Sequence, residues 1–240
     1  MTLLPTAPST NSEAARTAVR GSVVVAEEQT AGRGRLDRSW EAPVGAALTF
    51  SAVVAPELPD LHWPLIPLAA GLAVADAVRR SGVIPTLKWP NDVLVGRGKL
   101  AGILVERTGS PPVAVIGIGL NVDQSEAELP VPTATSLRLA GAEAAAADRT
   151  ELFGRILAEL TDRLRDLRTD PAGFVAKYRR ACGTLGQEVE VQLPDGSRVR
   201  GTAETVDDEG RLAVRRGDGG TLVVSAGDVV HLRAADGDMI

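Results

Sequence analysis

The run Val113-Ala114-Val115-Ile116-Gly117-Ile118-Gly119-Leu120-Asn121-Val122 contains no charged residue. Continuous apolar, β-branched sequence of this length reads as a central strand, and the rest of the chain must be arranged around it. Its two glycines are poor strand formers and mark places where another group approaches the backbone. Asn121, at the end of the run, serves a turn or a ligand. A helical pattern over 65–80, with Leu68, Leu72, Val74 and Val78, stops at Ser81-Gly82 and suits a core helix packed on the sheet. At 240 residues and 44% apolar content, the chain can bury one large core, or one core and a small second domain.

Further strands are expected at 46–54 and in a hairpin joined across Gly96-Arg97-Gly98. Leu152, Ile156, Leu157, Leu160, Leu164 and Leu167 mark a long amphipathic helix, and 174–180 a second one. From Leu185 the period changes to two, with turns at Pro194-Asp195-Gly196, Glu209-Gly210 and Gly217-Asp218-Gly219-Gly220. Such a series of hairpins implies a small β-barrel, so the chain divides near Cys182-Gly183 into residues 1–182 and 183–240. Residues 1–8 hold two prolines and suit a flexible or extended lead-in. Thr10 and Glu13 then fit a capping box that opens a helix.

The net charge of −5 argues against general electrostatic attraction to nucleic acid, so any basic site must be local. One such place is evident. The strand-like Val23-Val24-Val25-Ala26 runs into Glu27-Glu28-Gln29-Thr30-Ala31-Gly32-Arg33-Gly34-Arg35-Leu36-Asp37-Arg38-Ser39-Trp40. Glycines allow close backbone approach, and guanidinium groups match carboxylate and phosphate oxygens in a bidentate fork. A solvated basic turn is the plain alternative. The second dense stretch is Trp89-Pro90-Asn91-Asp92 followed by Lys99-Leu100-Ala101-Gly102-Ile103-Leu104-Val105-Glu106. Gly96-x-Gly98-x-x-Ala101 imitates a dinucleotide fingerprint, but β-like sequence follows it, so that reading fails. Lys99 alone suits a hairpin lysine in water.

Cys182 is the single cysteine and reads as a structural thiol in a reducing compartment. It and the histidines, His62 and His231, lack zinc-site spacing. Neither a spanning apolar run nor a secretion signal stands out, so a cytoplasmic protein without membrane attachment is expected.

Ser9-Thr10-Asn11, Gln29-Thr30-Ala31-Gly32-Arg33-Gly34-Arg35, Trp89-Pro90-Asn91-Asp92, Lys99 to Leu104 and Gly117-x-Gly119-x-Asn121-Val122 together resemble biotin protein ligase. The resemblance implies an α+β fold: a mixed-sheet catalytic domain and a C-terminal barrel similar to SH3 domains. It also implies the chemistry. Biotin and ATP, with Mg²⁺, would form biotinyl-5′-adenylate, and a lysine of a biotin carboxyl carrier domain would then take the acyl group. Lys99, Arg33, Arg35 and Arg38 are the implied catalytic residues. Ser9, Thr10, Asn11, Gln29, Arg33, Gly34, Arg35, Lys99 and Gly102 would hold biotin; Arg35, Arg38, Trp40, Asn91 and Asn121 would hold the nucleotide. Asp92 would brace the hairpin or accept from the incoming lysine. Many relatives carry a second Arg-Gly pair where this chain has Leu36-Asp37, which would alter loop closure. Some carry an N-terminal winged helix, for which the residues before Ser9 are too few, so no DNA binding is expected. A monomer or a homodimer fits equally. Lipoate–protein ligase and a biotin-binding module without catalysis are the competing readings; the intact cationic set and the Trp-Pro-Asn-Asp segment favour biotin ligation.

Overall fold

A computed structural model of the chain describes residues 1–36, 38–144, 148–193, 196–225 and 227–231. Asp37 of the arginine loop and Pro194-Asp195 of the expected turn lie outside the described residues. Seven strands form one sheet: β1 (Thr2–Ala7), β2 (Val23–Gln29), β3 (Ala47–Val54), β4 (Pro85–Lys88), β5 (Asp92–Val95), β6 (Gly98–Thr108) and β7 (Val113–Asn121). Their order is β1-β2-β3-β7-β6-β5-β4, so the uncharged run is the central strand. β1 is parallel to β2 and every other pairing is antiparallel, which makes the sheet mixed. Of the flexible and extended alternatives for the N-terminal residues, the extended one holds, as an edge strand. Pro5 is tolerated there because an edge strand can spare a backbone donor.

Alternation along β7 divides the molecule. Ala114, Ile116, Ile118, Leu120 and Val122 face the large core, whereas Val113 and Val115 join a smaller cluster with Val24, Val53 and Ala14 of α1 (Thr10–Thr17). α2 (Ile66–Arg79) is buried on nearly every side because it lies between the sheet and α3 (Arg149–Thr169). The segment Asp60–Arg79 has the length and apolarity of a membrane span, yet 67% of that window is buried within this core. α4 (Pro171–Ala181) follows α3 directly, with Asp170 capping its N-terminus through Gly173 N at 3.0 Å.

The tail is a five-stranded antiparallel sheet: β8 (Glu188–Gln192), β9 (Arg198–Val206), β10 (Leu212–Arg215), β11 (Thr221–Val224) and β12 (Asp228–His231), ordered β11-β10-β9-β8-β12. β12 is too short to announce itself by periodicity. We propose Cys182-Gly183 as the seam between the two units. The seam is stitched: Gly183 N donates to Leu87 O at 2.8 Å, Trp89 N to Thr184 Oγ1 at 3.1 Å, and Trp89 Nε1 to Gly210 O at 2.9 Å. Burial pushes the Cys182 thiol up, which keeps it protonated and unreactive.

His231 Nε2 lies 3.1 Å from Thr184 Oγ1 at this seam. Burial, and then the nearby charge of Lys88, hold its pKa below the ordinary 6.5. Below 6.5 the unfolded chain takes up a proton that the folded chain still refuses, so the stability contribution is present above that pH and is lost as pH falls. The melting temperature should therefore drop more steeply from about pH 7.5 to about pH 5.5 in the wild type than in His231→Gln. Equal slopes would show that His231 carries none of the dependence.

Candidate active site

The cleft begins where apolar cover of the second face ends. Cross-strand register places Ser51, Gly117 and Leu104 in one row and Thr49, Gly119 and Gly102 in the next, with Asp92 beside Gly102. These rows form a floor with little side-chain bulk at its centre. Ser9, Thr10 and Asn11, at the start of α1, stand over one end and are all buried. The expected capping box is not formed: Ser9 is the N-cap without a side-chain cap bond, and Glu13 pairs with Arg16 at 3.3 Å. Thr10 turns inward instead. Its N and Oγ1 both donate to Gln29 Oε1, at 2.8 and 3.1 Å. Ser51 Oγ lies 2.8 Å from Thr10 Oγ1 and 2.6 Å from Asn11 Oδ1. Asn11 Nδ2 donates to Glu106 Oε2 at 2.8 Å and to Leu104 O at 3.3 Å.

The arginine loop leaves β2 and folds into a tight hairpin over the cleft. Trp40 N donates to Gly32 O at 2.9 Å, Gly34 N to Arg38 O at 2.6 Å, and Arg33 bridges Ser39. A Cβ at Gly32 would sit 2.2 Å from Trp40 O, so the hairpin requires glycine there. Leu36, at its tip, has φ 53°, a left-handed conformation strained for leucine. Arg33 Nη2 reaches Glu106 Oε2 at 2.8 Å and Arg35 Nη1 donates to Asn91 Oδ1 at 3.2 Å. Arg38 also lines the cleft. The Trp40 indole lies across Gly119 and Gly102; a Cβ on Gly119 would fall 2.3 Å from Trp40 Cε2. Trp40 Nε1 is buried with no hydrogen-bond partner, an orphan donor that a ligand can satisfy.

Lys99 Nζ pairs with Asp92 Oδ1 at 2.8 Å and lies 5.9 Å from the centre of the Trp40 ring. The enclosed space is about 100 Å³. Among the described residues four cations line it (Arg33, Arg35, Arg38, Lys99) against one carboxylate, Asp92, so this lining is locally positive in a chain of net charge −5. Gly34, Asn91 and Gly102 line it too, and Gly227 contributes from the segment just before β12.

Asn121 stands apart. Its Nδ2 donates to Thr135 O at 2.9 Å and Lys99 O at 3.4 Å, while Gln124 Nε2 donates to its Oδ1 at 3.0 Å. The side chain is thus spent on bracing the strand that carries Lys99, and it does not line the cleft. Ser51 and Glu106 are site neighbours that sequence patterning passes over. For Ser51 the signal was a hydroxyl that, with Thr49, interrupts an apolar buried strand.

Residues 5–123 match the biotin/lipoate A/B protein ligase family, and residues 184–232 match the biotin protein ligase C-terminal domain. The chain is 45% identical over 220 residues to the biotin–[acetyl-CoA-carboxylase] ligase of Mycobacterium tuberculosis, covering 90% of this chain and 80% of that one. It is 34% identical over 242 residues to the enzyme of the same name from Paracoccus denitrificans, with 95% and 98% covered. The Aquifex aeolicus biotin protein ligase in complex with biotin and ATP superposes with a TM-score of 0.82 at 27% identity, over 97% of this chain and 98% of that one. An arginine loop over a paired lysine, two sheets in this order and relatives matched over 80% and 98% of their own length agree: the chain belongs to the biotin protein ligase family.

Proposed function

We propose that the chain is a biotin–[acetyl-CoA-carboxylase] ligase, which activates biotin with ATP and passes it to a lysine of a biotin carboxyl carrier domain. The observation that carries this reading is that one cleft has a neutral hydrogen-bonding end and a cationic end. A cyclic urea buried at the first needs partners for its N–H and C=O groups, which Ser9, Thr10, Asn11 and Gln29 supply. Gly34 and Gly102 let the ligand lie against backbone. Lys99, with Arg33 and Arg35, holds the carboxylate; Arg35, Arg38, Trp40 and Asn91 hold the nucleotide, and Asn121 serves it through the Lys99 strand.

In the first step a carboxylate oxygen attacks the α-phosphorus and the bond to pyrophosphate breaks. Negative charge grows on phosphate oxygens beside fixed guanidinium and ammonium groups, which favour that state over the ground state. In the second step the carrier amine attacks the acyl carbon and AMP departs, so no covalent enzyme intermediate is required. ATP enters as its Mg²⁺ complex: among the described residues no cluster of three acidic, histidine or cysteine groups would cage a metal, and Asp92 is already paired with Lys99. A cytoplasmic location belongs to the same reading, since ATP and the carrier must meet the enzyme.

Pyrophosphate–ATP exchange should appear with biotin and Mg²⁺, and should be absent with lipoate or with no acid. Chelating the Mg²⁺ should stop it. Exchange with lipoate alone would move the chain to the sister activity, and no exchange at all would overturn the catalytic reading.

A further inference from the structure

We propose that Glu106 is a positioning residue of the adenylation site: a latch that ties the arginine loop to the ring end of the pocket. The proposal rests on the ligase reading above. Glu106 lies on β6 opposite Val115, one row beyond Leu104 and Gly117. A single oxygen, Oε2, takes Asn11 Nδ2 at 2.8 Å and Arg33 Nη2 at 2.8 Å. The two donors come from different elements, the start of α1 and the first arm of the loop hairpin. Glu106 does not line the cavity itself; it lines the groove behind the loop. It therefore acts through Asn11 and Arg33, without touching a ligand.

Asn11 shows why the latch matters. Its Oδ1 is taken by Ser51 Oγ at 2.6 Å, and its Nδ2 faces two acceptors, Glu106 Oε2 and the Leu104 carbonyl. A flipped amide would turn an oxygen toward both acceptors, so only one orientation is satisfied. Arg33, docked on the same carboxylate oxygen, also bridges Ser39 and so holds the returning arm that carries Trp40. One carboxylate thus sets the polarity of the ring-binding amide and the closed position of the loop. Glutamine at 106 keeps one oxygen that can accept from both donors and loses only the charge that draws Arg33, whereas alanine removes both bonds.

The test is Glu106→Ala in the full chain, read three ways: biotin KM and kcat in the exchange assay, the release rate of preformed adenylate, and tryptic cleavage of the loop in ligand-free protein. Both partners are partly exposed, so effects of about three- to tenfold are expected in KM and in adenylate release, with a smaller change in kcat. Tryptic cleavage should quicken as well. Arg33→Gln should reproduce the faster release and cleavage, and the double variant should be no worse than the more impaired single one. If Glu106→Ala fails to fold, ligand-free tryptic cleavage at Arg35 and Arg38 in Arg33→Gln carries the test, because that readout does not involve the contact of Arg33 with a ligand. Wild-type KM, release and cleavage in a folded Glu106→Ala would overturn the latch, as would strictly additive single effects. A wild type that makes no adenylate would overturn the ligase reading alone, and the ligand-free cleavage comparison would still decide the latch.

Discussion

Lys99→Ala is expected to lower biotin-dependent pyrophosphate–ATP exchange by about two to three orders of magnitude. Two losses combine. The first is the ammonium that opposes charge growing on the phosphate during attack. The second is the cover on Asp92, whose side chain is only 15% exposed and whose carboxylate lies 2.8 Å from Lys99 Nζ. Without the lysine, that carboxylate stands bare at the place where biotin's own carboxylate and the α-phosphate must meet, and like charges there repel. Lys99→Ala/Asp92→Asn should therefore recover biotin affinity while leaving exchange low, which separates the two losses. Lys99→Arg should recover only part of the rate. The ammonium sits between the Asp92 carboxylate at 2.8 Å and the Trp40 ring centre at 5.9 Å, and a larger planar guanidinium would crowd one or the other. Exchange kinetics with a parallel biotin titration decide the matter; undiminished exchange in Lys99→Ala would remove the lysine from the chemistry.

Much of this site is legible in the sequence because its parts break local rules. Gly117 and Gly119 are costly in a central strand, and both are explained by what lies on them, Asn11 and the Trp40 ring. The Gly-Arg loop breaks an apolar pattern abruptly, and it does fold over the floor. Asn121 is harder to read for the converse reason. A polar residue at a strand end next to glycines looks like a ligand contact, and in the fold its amide bonds to Thr135, Lys99 and Gln124. Thr135 and Gln124 belong to the loop following β7, which has no periodicity to place it. The capping box at Thr10 and Glu13 failed similarly. Capping is the local choice for such a pair, and a buried acceptor on Gln29, nineteen positions away, overrode it. β1 escaped because an edge strand with proline carries no alternation of its own and is ordered only by β2. Glu106 ends a quoted motif, but nothing local reveals a carboxylate shared between Asn11 and Arg33 across separations of 95 and 73 residues.

Gly117→Ala should weaken biotin binding by about a hundredfold, about 2.7 kcal/mol, while the chain stays folded. The added Cβ would fall 2.1 Å from Asn11 Oδ1 and 2.9 Å from its Cγ, inside any tolerable contact. A clash with the far end of a mobile side chain is cheap to relieve, but Asn11 is short, buried and held by Ser51, Leu104 and Glu106 at once. Relief requires moving the start of α1 off the sheet or breaking those bonds, and either change spoils the ring end of the pocket. Overpacking of this kind costs about 1–3 kcal/mol of stability, which the extensive core can absorb. Gly119→Ala makes the informative contrast. Its Cβ would strike the Trp40 ring at 2.3 Å, but Trp40 rides on the loop, and the loop can lift. That variant should lose less biotin affinity than Gly117→Ala, because the ring end stays intact while Arg33 and Arg35 move with the loop, and it should lose adenylate faster. Calorimetric biotin titrations of both variants, with thermal melts to confirm folding, measure the difference. Normal biotin affinity in a folded Gly117→Ala would mean that Asn11 is free to retreat, and the ring end of the cleft would have to be placed elsewhere.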